Sequence, residues 1–313
     1  MNFEYKISVI IVTYNVSKFI KQSIDSVLKQ NHDNCEIIII DDGSSDSTGE
    51  ILSSYKDFKN IKIIFNEHSG NVGKLRNDAI KIASGEYIAI LDGDDEWIIN
   101  KLIIQLDYIN EYDIICSNAI VLDEFNKVLD CYYFKGLKSD LVFDLKTLLK
   151  FNYIITSSVL MKKNICIKAG MFDEIVGIRG EDYILWLNIA KYGKIKYLNK
   201  PLIKYRKHPH NLGVHPQNIN INSIDERIRL LLRTIEIRKC YINHSDSLIV
   251  KAAMIGCIGL YYELVKLETR KKNYVKASEY CIELLHINKK KFSLIYLKII
   301  VLFIFLRLYI YFH

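Results

Sequence analysis

Short apolar runs alternate with amphipathic segments over the first hundred residues of the chain. The runs are rich in β-branched residues and occupy positions 7–13 (ISVIIVT), 36–40 (EIIII), 61–65 (IKIIF) and 86–91 (EYIAIL). Strands covered on both faces have this pattern, which is typical of a parallel sheet with helices on either side. The first intervening segment, SKFIKQSIDSVLKQ, repeats apolar side chains at helical spacing. The order β-α-β-α-β-α-β predicts an open, doubly wound α/β sheet.

The pattern becomes less regular after Asn100. It predicts a helix over about 97–110, a hairpin near 119–134, two short strands around Pro201 and a helix at GEDYILWLNIAKYG. From about residue 222 the chain is predicted to be helical, with a different composition. We therefore predict an α/β domain over 1–221, with halves 1–100 and 101–221, and a helical C-terminal region over 222–313.

Composition and charge narrow the class of protein. The chain has 313 residues, is 50% apolar and contains three prolines, which indicates a globular protein. Its formal net charge of +7 is compatible with nucleic acid, anionic lipid or an anionic small substrate, but no nucleic-acid motif accompanies it. Seven scattered cysteines without a C-x-x-C pair, and an N-terminus that reads as a strand rather than a signal peptide, predict a cytoplasmic protein.

Polar residues follow three of the four predicted strands, at the point where each strand ends. They are Thr13, Tyr14 and Asn15 after the first, Asp41 and Asp42 after the second, and Asp92, Asp94 and Asp95 after the fourth. In open α/β sheets, ligands bind outside the carboxyl ends of the strands. Oxygen ligands at such an edge suit Mg²⁺ or Mn²⁺, which also bridge phosphate oxygens. The sequence therefore predicts a nucleotide and metal site at this edge.

Other phosphate and metal sites fit the sequence poorly. Neither G-x-G-x-x-G nor G-x-x-x-x-G-K-[ST] follows the first strand, which argues against Rossmann dinucleotide and P-loop sites. A phosphatase with a nucleophilic D-x-D would place it near the N-terminus, followed by Thr or Val, whereas Glu96 and Trp97 follow here. A zinc site at His208, His210 and His215 lacks cysteine at ligand spacing.

These segments resemble family 2 glycosyltransferases with the GT-A fold. The resemblance lies in ISVIIVTYN, EIIIIDDGSSDST, GNVGKLRNDAIKIASGEYIAILDGDDEW, GIRGEDYILWLNIAKYG and PLIKYRKHPHN, and covers roughly residues 5–212. It implies an inverting, metal-dependent transfer of a hexose or N-acetylhexosamine from a UDP-sugar. The hydrophobic C-terminal tail, residues 292–313, suggests that the acceptor of such a transferase is a polyprenyl-diphosphate-linked glycan, in surface polysaccharide or O-antigen assembly. A protein or soluble glycan acceptor, and a sugar-nucleotide-binding protein without catalysis, are the alternatives.

The resemblance also implies roles for individual residues. Thr13 and Asp42 would lie against the nucleobase, with Asp42 accepting a hydrogen bond from uracil. Tyr14 and Asn15, which follow Thr13 at the end of the first strand, are further candidates for binding the nucleotide sugar. Asp92 and Asp94 would be the D-x-D pair, Asp92 nearer the ribose and metal and Asp94 a direct ligand of Mn²⁺ or Mg²⁺. Arg76 would face the diphosphate, and His208 would complete the metal or phosphate site. Asp182 would be the catalytic base, with Glu181 shaping the acceptor side.

The C-terminal segment is basic and strongly apolar. Residues 292–313 are nearly all apolar, interrupted by Lys298 and Arg307, and follow the basic run 289–291. We expect this hydrophobic tail to associate with the inner-leaflet membrane surface, so that the protein is peripherally bound on the cytoplasmic side. The alternative is a helix that packs on the domain or on the partner in a homodimer.

Overall fold

A computed structural model describes residues 5–30, 32–174, 180–209, 211 and 221–287, together with 303, 304, 306 and 310. The chain divides into two compact units, one of residues 1–144 and 153–212 and the other of residues 145–152 and 213–313.

The strands and helices predicted for residues 1–100 form in the expected order. They are β1 (Ile7–Thr13), α1 (Ile20–Leu28), β2 (Cys35–Asp41), α2 (Thr48–Ser53), β3 (Ile61–Phe65), α3 (Val72–Ile82) and β4 (Tyr87–Asp92). The four strands pair in parallel in the order β3-β2-β1-β4. Ile10 and Ile38, in β1 and β2, are fully buried, as expected for strands covered on both faces.

The second half of the first unit extends the same sheet. Its elements are β5 (Glu96–Trp97), α4 (Lys101–Leu106), β6 (Ile114–Asp123), β7 (Val128–Asp130), β8 (Leu141–Phe143), a 3₁₀ turn (Thr156–Ser158), β9 (Leu160–Lys162), α6 (Lys163–Lys168), α7 (Glu181–Ile189) and β10 (Ile195–Lys207). Helix α5 (Leu145–Lys150), between β8 and the turn, belongs to the second unit. Strand β9 is antiparallel to both β4 and β6, and β6 is parallel to β10. The carboxyl ends of β1, β4, β6 and β10 therefore lie at one edge of the sheet.

Two local predictions were wrong in this half. The helix predicted from about 97 begins only at Lys101, because Glu96 and Trp97 pair with β10. The two strands predicted around Pro201 are one strand, because the chain continues past the proline through an irregularity in its pairing with β6.

The second unit is helical. It contains α5, α8 (Ile221–Lys239), α9 (Ser247–Arg270) and α10 (Tyr274–Ile287), packed around buried side chains that include Ile235, Leu264 and Leu284. Helices α5 and α9 approach closely at Gly256, where a Cβ would lie 2.1 Å from the Leu149 carbonyl oxygen. The sequence predicts that residues 101–221 form one half of the α/β domain. Helix α5 lies within this range but packs with the C-terminal helices.

One described helix has the length and composition of a membrane span. Helix α9 has 24 residues and a mean hydropathy of 1.7 over its most apolar stretch, of which 39% is buried within the protein. Core helices of soluble proteins share these properties. The predicted membrane-associated tail, 292–313, lies outside the described residues except for 303, 304, 306 and 310; of these, Leu306 is fully buried in the core of the second unit.

Candidate active site

The polar strand ends predicted to form a site lie side by side. Thr13 pairs with Asp41 across β1 and β2, and Val12 pairs with Asp92 across β1 and β4. Thr13 is buried, and its Oγ1 has no hydrogen-bond partner among the described residues. Parallel pairing thus places Thr13, Asp41 and Asp92 at one edge, as expected for an α/β ligand site.

The three carboxylates that follow β4 differ in their surroundings. The side chain of Asp92 is 35% exposed and that of Asp94 is 19% exposed, whereas Asp95 is only 1% exposed. Asp95 accepts hydrogen bonds from Ser157 Oγ at 2.6 Å and from the Arg206 backbone N–H at 2.9 Å. Burial raises the pKa of Asp95 well above its ordinary value. Asp95 is therefore an internal tether for the acidic loop, and Asp92 and Asp94 are the accessible pair.

Arg76 joins the acidic loop to the start of α7. Its guanidinium contacts Asp92 Oδ1 at 2.7 Å and Glu181 Oε1 at 2.6 Å, and it lies 5.2 Å from the centre of the Phe172 ring. Arg76 is only 5% exposed, although it lies on α3, which has an exposed face. Its charge is shared between two carboxylates that are far apart in the sequence.

Glu181 and Asp182, in the first turn of α7, occupy different environments. Glu181 is buried, and within the described structure its Oε2 finds no hydrogen-bond donor. Burial, reinforced by the charge of Asp182 and opposed by Arg76, raises the pKa of Glu181 to about 7. Asp182 Oδ2 accepts a hydrogen bond of 2.6 Å from Thr156 Oγ1. The predicted base is thus held by a hydroxyl, while Glu181 lies against Arg76.

Asp94 and His208 are in direct contact. His208 Nε2 lies 2.9 Å from Asp94 Oδ2, and Asn211 Nδ2 donates to the same oxygen at 3.2 Å. His208 is buried and its ring packs 5.0 Å from that of Phe19. His210 and His215, the other two histidines of the possible zinc site, lie outside the described residues.

Asp42 and Tyr14, two of the residues predicted to bind the nucleotide, both contact His68. Asp42 accepts hydrogen bonds from Ser69 N and Oγ and from Gly70 N, and His68 Nδ1 lies 2.9 Å from its Oδ2. Tyr14 is 43% exposed and stacks on the His68 ring, with centroids 4.0 Å apart and planes 16° apart. A carboxylate can accept about four hydrogen bonds, so these four contacts occupy the acceptor sites of Asp42.

The side chain of Asn15, which was also predicted to bind the nucleotide, makes a hydrogen bond within the protein. Its Oδ1 accepts a hydrogen bond of 2.8 Å from the Ser45 backbone N–H, and its own N–H donates to Ser44 Oγ. Asn15 has a φ of +50°, a conformation that asparagine tolerates better than most residues. Its side chain thus ties the turn after β1 to the turn after β2.

Proteins of similar sequence identify the family to which this chain belongs. Residues 8–141 match the model of glycosyl transferase family 2. The chain is also 34% identical over 220 residues to the UDP-Glc:alpha-D-GlcNAc-diphosphoundecaprenol beta-1,3-glucosyltransferase WfgD of Escherichia coli, covering 65% of this chain and 78% of WfgD. The chain belongs to glycosyl transferase family 2. It is therefore an enzyme that transfers a sugar.

Solved structures show the same fold. This glycosyltransferase is similar to S. aureus TarS 1-349 in complex with UDP-GlcNAc, with a TM-score of 0.63, 20% identity and coverage of 88% of this chain and 80% of that one. It is also similar to the mannosyltransferase PcManGT from Pyrobaculum calidifontis in complex with GDP-Man and Mn²⁺, with a TM-score of 0.59, 15% identity and coverage of 90% and 75%. The predicted GT-A fold is confirmed.

GT-A glycosyltransferases generally use a divalent metal ion. The predicted ligands in this protein are Asp92, Asp94 and His208. Of the three predicted ligands, Asp94 and His208 are in contact, while Asp92 pairs with Arg76. Within the described ranges, no group of three or more His, Cys, Asp or Glu side chains is arranged to hold a metal ion. A cation that keeps water and phosphate oxygens needs only one or two protein carboxylates. Asp94 and His208 fit such a cation, held jointly with a diphosphate.

Several residues of this site were missed by sequence reasoning. They are His68, which follows β3, Thr156, Arg206 and Asn211. His68 and Asn211 stand in the polar stretches NEHSG and HPHN, which mark the ends of β3 and β10. Thr156 has no local signal, because its contact with Asp182 joins residues 26 positions apart.

Proposed function

We propose that this glycosyltransferase moves a hexose or N-acetylhexosamine, with inversion, from a UDP-sugar to a hydroxyl of a polyprenyl-diphosphate-linked glycan. The product would be a unit of a surface polysaccharide or O-antigen. The name of WfgD, which specifies UDP-Glc and a diphosphoundecaprenol acceptor, supports both substrate classes. The observation that carries the proposal is the Asp182 carboxylate, held by Thr156 near the charges of Arg76 and Asp92.

The nucleobase would lie on the Tyr14 ring, between Thr13 and Asp42. The exposed Tyr14 offers a flat surface on which a base can stack. Because His68 covers that ring and occupies Asp42 Oδ2, the base would take the place of the imidazole. Thr13 Oγ1 lies at the same strand end and is buried, without a hydrogen-bond partner in the described part of the chain.

The diphosphate would be bound between Asp94 and Arg76. Asp94 and His208 would hold Mn²⁺ or Mg²⁺, which when bound stabilises the negative charge of the leaving UDP. Asp92 would act beside them, near the ribose. Arg76 would offer its guanidinium to phosphate oxygens, while Glu181 and Asp92 fix its direction. Glu181 is in this scheme a positioning residue for Arg76.

Asp182 would remove the proton from the attacking hydroxyl. The hydroxyl oxygen forms a bond to the anomeric carbon as the bond from that carbon to the diphosphate breaks, and the proton passes to Asp182. A positioned general base typically contributes about 10²–10⁴-fold to rate. A single displacement inverts the anomeric centre, so a UDP-α-sugar gives a β-linkage.

A lipid-linked acceptor would place the reaction at a membrane surface. We propose that the chain works on the cytoplasmic side, peripherally bound to the inner membrane. All seven cysteines lie in the described residues and are free thiols, which supports a reducing compartment.

Thermal unfolding with UDP, GDP, CDP or dTDP, each with and without Mn²⁺, tests the donor site. A ligand that binds only the folded chain, at a hundredfold its Kd, stabilises it by about 2.7 kcal/mol. We expect UDP to raise the Tm most, and to do so only with metal. Asp94→Asn should remove the metal-dependent shift, whereas Asp78→Asn, which alters an exposed ion pair on α3, should keep it. No shift with any nucleotide would refute the donor site.

Sugar transfer tests the reaction itself. Wild-type protein is mixed with UDP-sugars and a short-chain alkyl GlcNAc-diphosphate, and Asp182→Asn serves as the comparison. We expect a β-linked product, and a fall of about 10²–10⁴-fold in kcat for Asp182→Asn with the UDP-induced Tm shift retained. Nucleotide binding without transfer to any acceptor would instead indicate a sugar-nucleotide-binding protein, and transfer only to protein or soluble glycan would indicate a different acceptor.

A further inference from the structure

Arg206 is a charged side chain that lies inside the protein. It belongs to β10 and is only 1% exposed. A buried charge is tolerated when it is paired and hydrogen-bonded. The hydrogen-bond acceptors of its guanidinium come from three segments that are far apart in the sequence, and they include Asp94 O and Glu96 Oε1 in the acidic loop, Asn126 Oδ1 in the turn after β6 and Gln22 Oε1 in α1.

Three contacts of Arg206 converge on Asp94, the proposed metal ligand. The Arg206 Nε donates to the Asp94 carbonyl oxygen at 2.9 Å, and its backbone N–H donates to Asp95 Oδ1 at 2.9 Å. The Arg206 carbonyl oxygen accepts a hydrogen bond of 3.0 Å from Asn211 Nδ2, which also donates to Asp94 Oδ2 at 3.2 Å. Arg206 thus contacts the backbone of Asp94, the next residue in the loop and a partner of the Asp94 carboxylate.

The same surroundings hold His208, the second proposed ligand. The Phe19 ring packs against both residues, with its centre 4.9 Å from the Arg206 guanidinium carbon and 5.0 Å from the centre of the His208 ring. Asn211 Oδ1 accepts a hydrogen bond from the His208 backbone N–H. Arg206 and His208 therefore share a ring and an amide as packing and hydrogen-bond partners.

The acidic loop needs positive charge close to it. Residues 92–96 contain four carboxylates, which repel one another when ionised. Arg206 pairs with Glu96 in this loop, and the pair is largely shielded from solvent because their side chains are 1% and 14% exposed. The protein thus supplies a fixed cation that offsets this repulsion and orders the main chain at Asp94.

We propose that Arg206 is a positioning residue for the divalent metal ion, because it holds Asp94 and His208 in the arrangement in which they bind the cation. The proposal rests on the proposed function, in which Asp94 and His208 hold Mn²⁺ or Mg²⁺. Arg206 acts through these two residues and is not itself a ligand. Groups that orient metal ligands by hydrogen bonds typically change metal affinity by about 10–100-fold when they are mutated.

Binding of Mn²⁺ to the full chain tests this role without measuring activity. The electron paramagnetic resonance signal of free Mn²⁺ gives the apparent Kd in the presence of a fixed excess of UDP. Arg206→Met removes the charge, and Arg206→Lys keeps the charge without the planar fork. Lys162→Met is the matched control, because it also removes a partly buried cation, which pairs with Asp113 at the edge where β4 begins.

We expect Arg206→Met to raise the apparent Kd for Mn²⁺ by about 10–100-fold, and Arg206→Lys to raise it less. Lys162→Met should bind Mn²⁺ as the wild type does. Equal affinity in the wild type and Arg206→Met overturns the proposal. An equal loss of affinity in Lys162→Met also overturns it, because a general loss of stability would then explain the change.

Asn126→Gly tests the same role with a smaller change to the fold. It removes one acceptor of the Arg206 guanidinium, and glycine readily adopts the φ of +67° found at this position. We expect its apparent Kd for Mn²⁺ to lie between those of the wild type and Arg206→Met. If Arg206→Met does not fold, unchanged Mn²⁺ affinity in both Asn126→Gly and Arg206→Lys overturns the proposal.

Sugar transfer at different Mn²⁺ concentrations separates positioning of the metal from damage to the site. We expect Arg206→Met to need about 10–100-fold more Mn²⁺ for half-maximal activity, with a kcat at saturating Mn²⁺ close to that of the wild type. A lower kcat that excess Mn²⁺ does not restore contradicts the proposal. If the wild type binds no Mn²⁺ in the presence of UDP, the proposed metal site itself fails, whereas equal binding by the wild type and its variants refutes only the role of Arg206.

Discussion

Thr156 and Asp182 are joined by a hydrogen bond of 2.6 Å, from the threonine hydroxyl to a carboxylate oxygen. Thr156 begins the 3₁₀ turn whose next residue, Ser157, donates to Asp95 and accepts from the Asp92 backbone N–H. One short turn therefore contacts both the proposed base and the acidic loop. Helix α4 supports this turn, because the buried Gln105 side chain donates to the Ser158 carbonyl oxygen at 2.8 Å.

Removing the Thr156 hydroxyl should impair the base without affecting donor binding. We expect Thr156→Val to lower kcat by about tenfold, since a hydrogen bond to a charged group contributes about 1.5–3 kcal/mol. The UDP-induced Tm shift should be unchanged, because Thr156 has no role in the proposed nucleotide site. Thr156→Ser, which keeps the hydroxyl, should retain most of the activity. If Thr156→Ser is as slow as Thr156→Val, loss of the hydrogen bond does not explain the effect, and the prediction is wrong.

Glu181 should make the stability of the protein fall as the pH rises. Because its folded pKa is about 7 and its ordinary value is 4.5, the folded chain binds more protons than the unfolded chain between these values. Ionising the carboxyl above pH 7 costs the folded state about 3 kcal/mol relative to pH 4. Urea unfolding from pH 4 to pH 8 should show this contribution in wild-type protein and not in Glu181→Gln.

The control for Glu181 is the exposed Glu50, in the first turn of α2. Glu50→Gln should leave the pH dependence of the unfolding free energy as it is in the wild type. A Glu181→Gln profile that is parallel to the wild-type profile across this range would contradict the raised pKa of Glu181.

His68 should compete with the nucleobase for Tyr14. Aromatic stacking contributes about 0.5–1.5 kcal/mol, so we expect His68→Ala to lower the Kd for UDP by about three- to tenfold. Calorimetric titration with UDP and Mn²⁺ measures the change, and Tyr14→Leu should weaken binding in the same assay. Weaker binding by His68→Ala would mean that the imidazole is part of the nucleotide site.

Substitution of Asp95 should reduce stability, whereas substitution of Asp94 should reduce the binding of metal. Asp95→Ala leaves the Ser157 hydroxyl and the Arg206 N–H without their acceptor, which should cost about 2–4 kcal/mol of unfolding free energy. Asp95→Asn can keep an acceptor for Arg206 and should cost less. Asp94→Ala should change stability little and abolish the metal-dependent effect of UDP. Denaturant titrations of the three variants measure the stability changes, and the Tm with UDP, with and without Mn²⁺, measures the effect of Asp94→Ala.

Local pattern alone determined much of the fold. The four apolar runs of the first hundred residues become parallel strands, because strands buried on both faces need continuous apolar sequence. The edge that carries Thr13, Asp42, Asp92 and Asp94 follows from the same pattern, since polar residues at the ends of parallel strands meet. Strand β5 was missed because two residues are too few to show a period, and their pairing with β10 depends on residues about a hundred positions away.

Which residues touch one another was decided only by the tertiary structure. Arg76 and Glu181 are 105 positions apart, and their contact turns an arginine on a helix and a carboxylate in a GED motif into one buried pair. In sequence, Asp92, Asp94 and Asp95 are alike; burial against Ser157 and Arg206 makes Asp95 a tether and leaves the other two accessible. The sequence determined where strands end and which chemical groups stand there, because periodicity is a local property. Hydrogen-bond partners and exposure depend on segments brought together by folding, so only the tertiary structure assigned each group its partner.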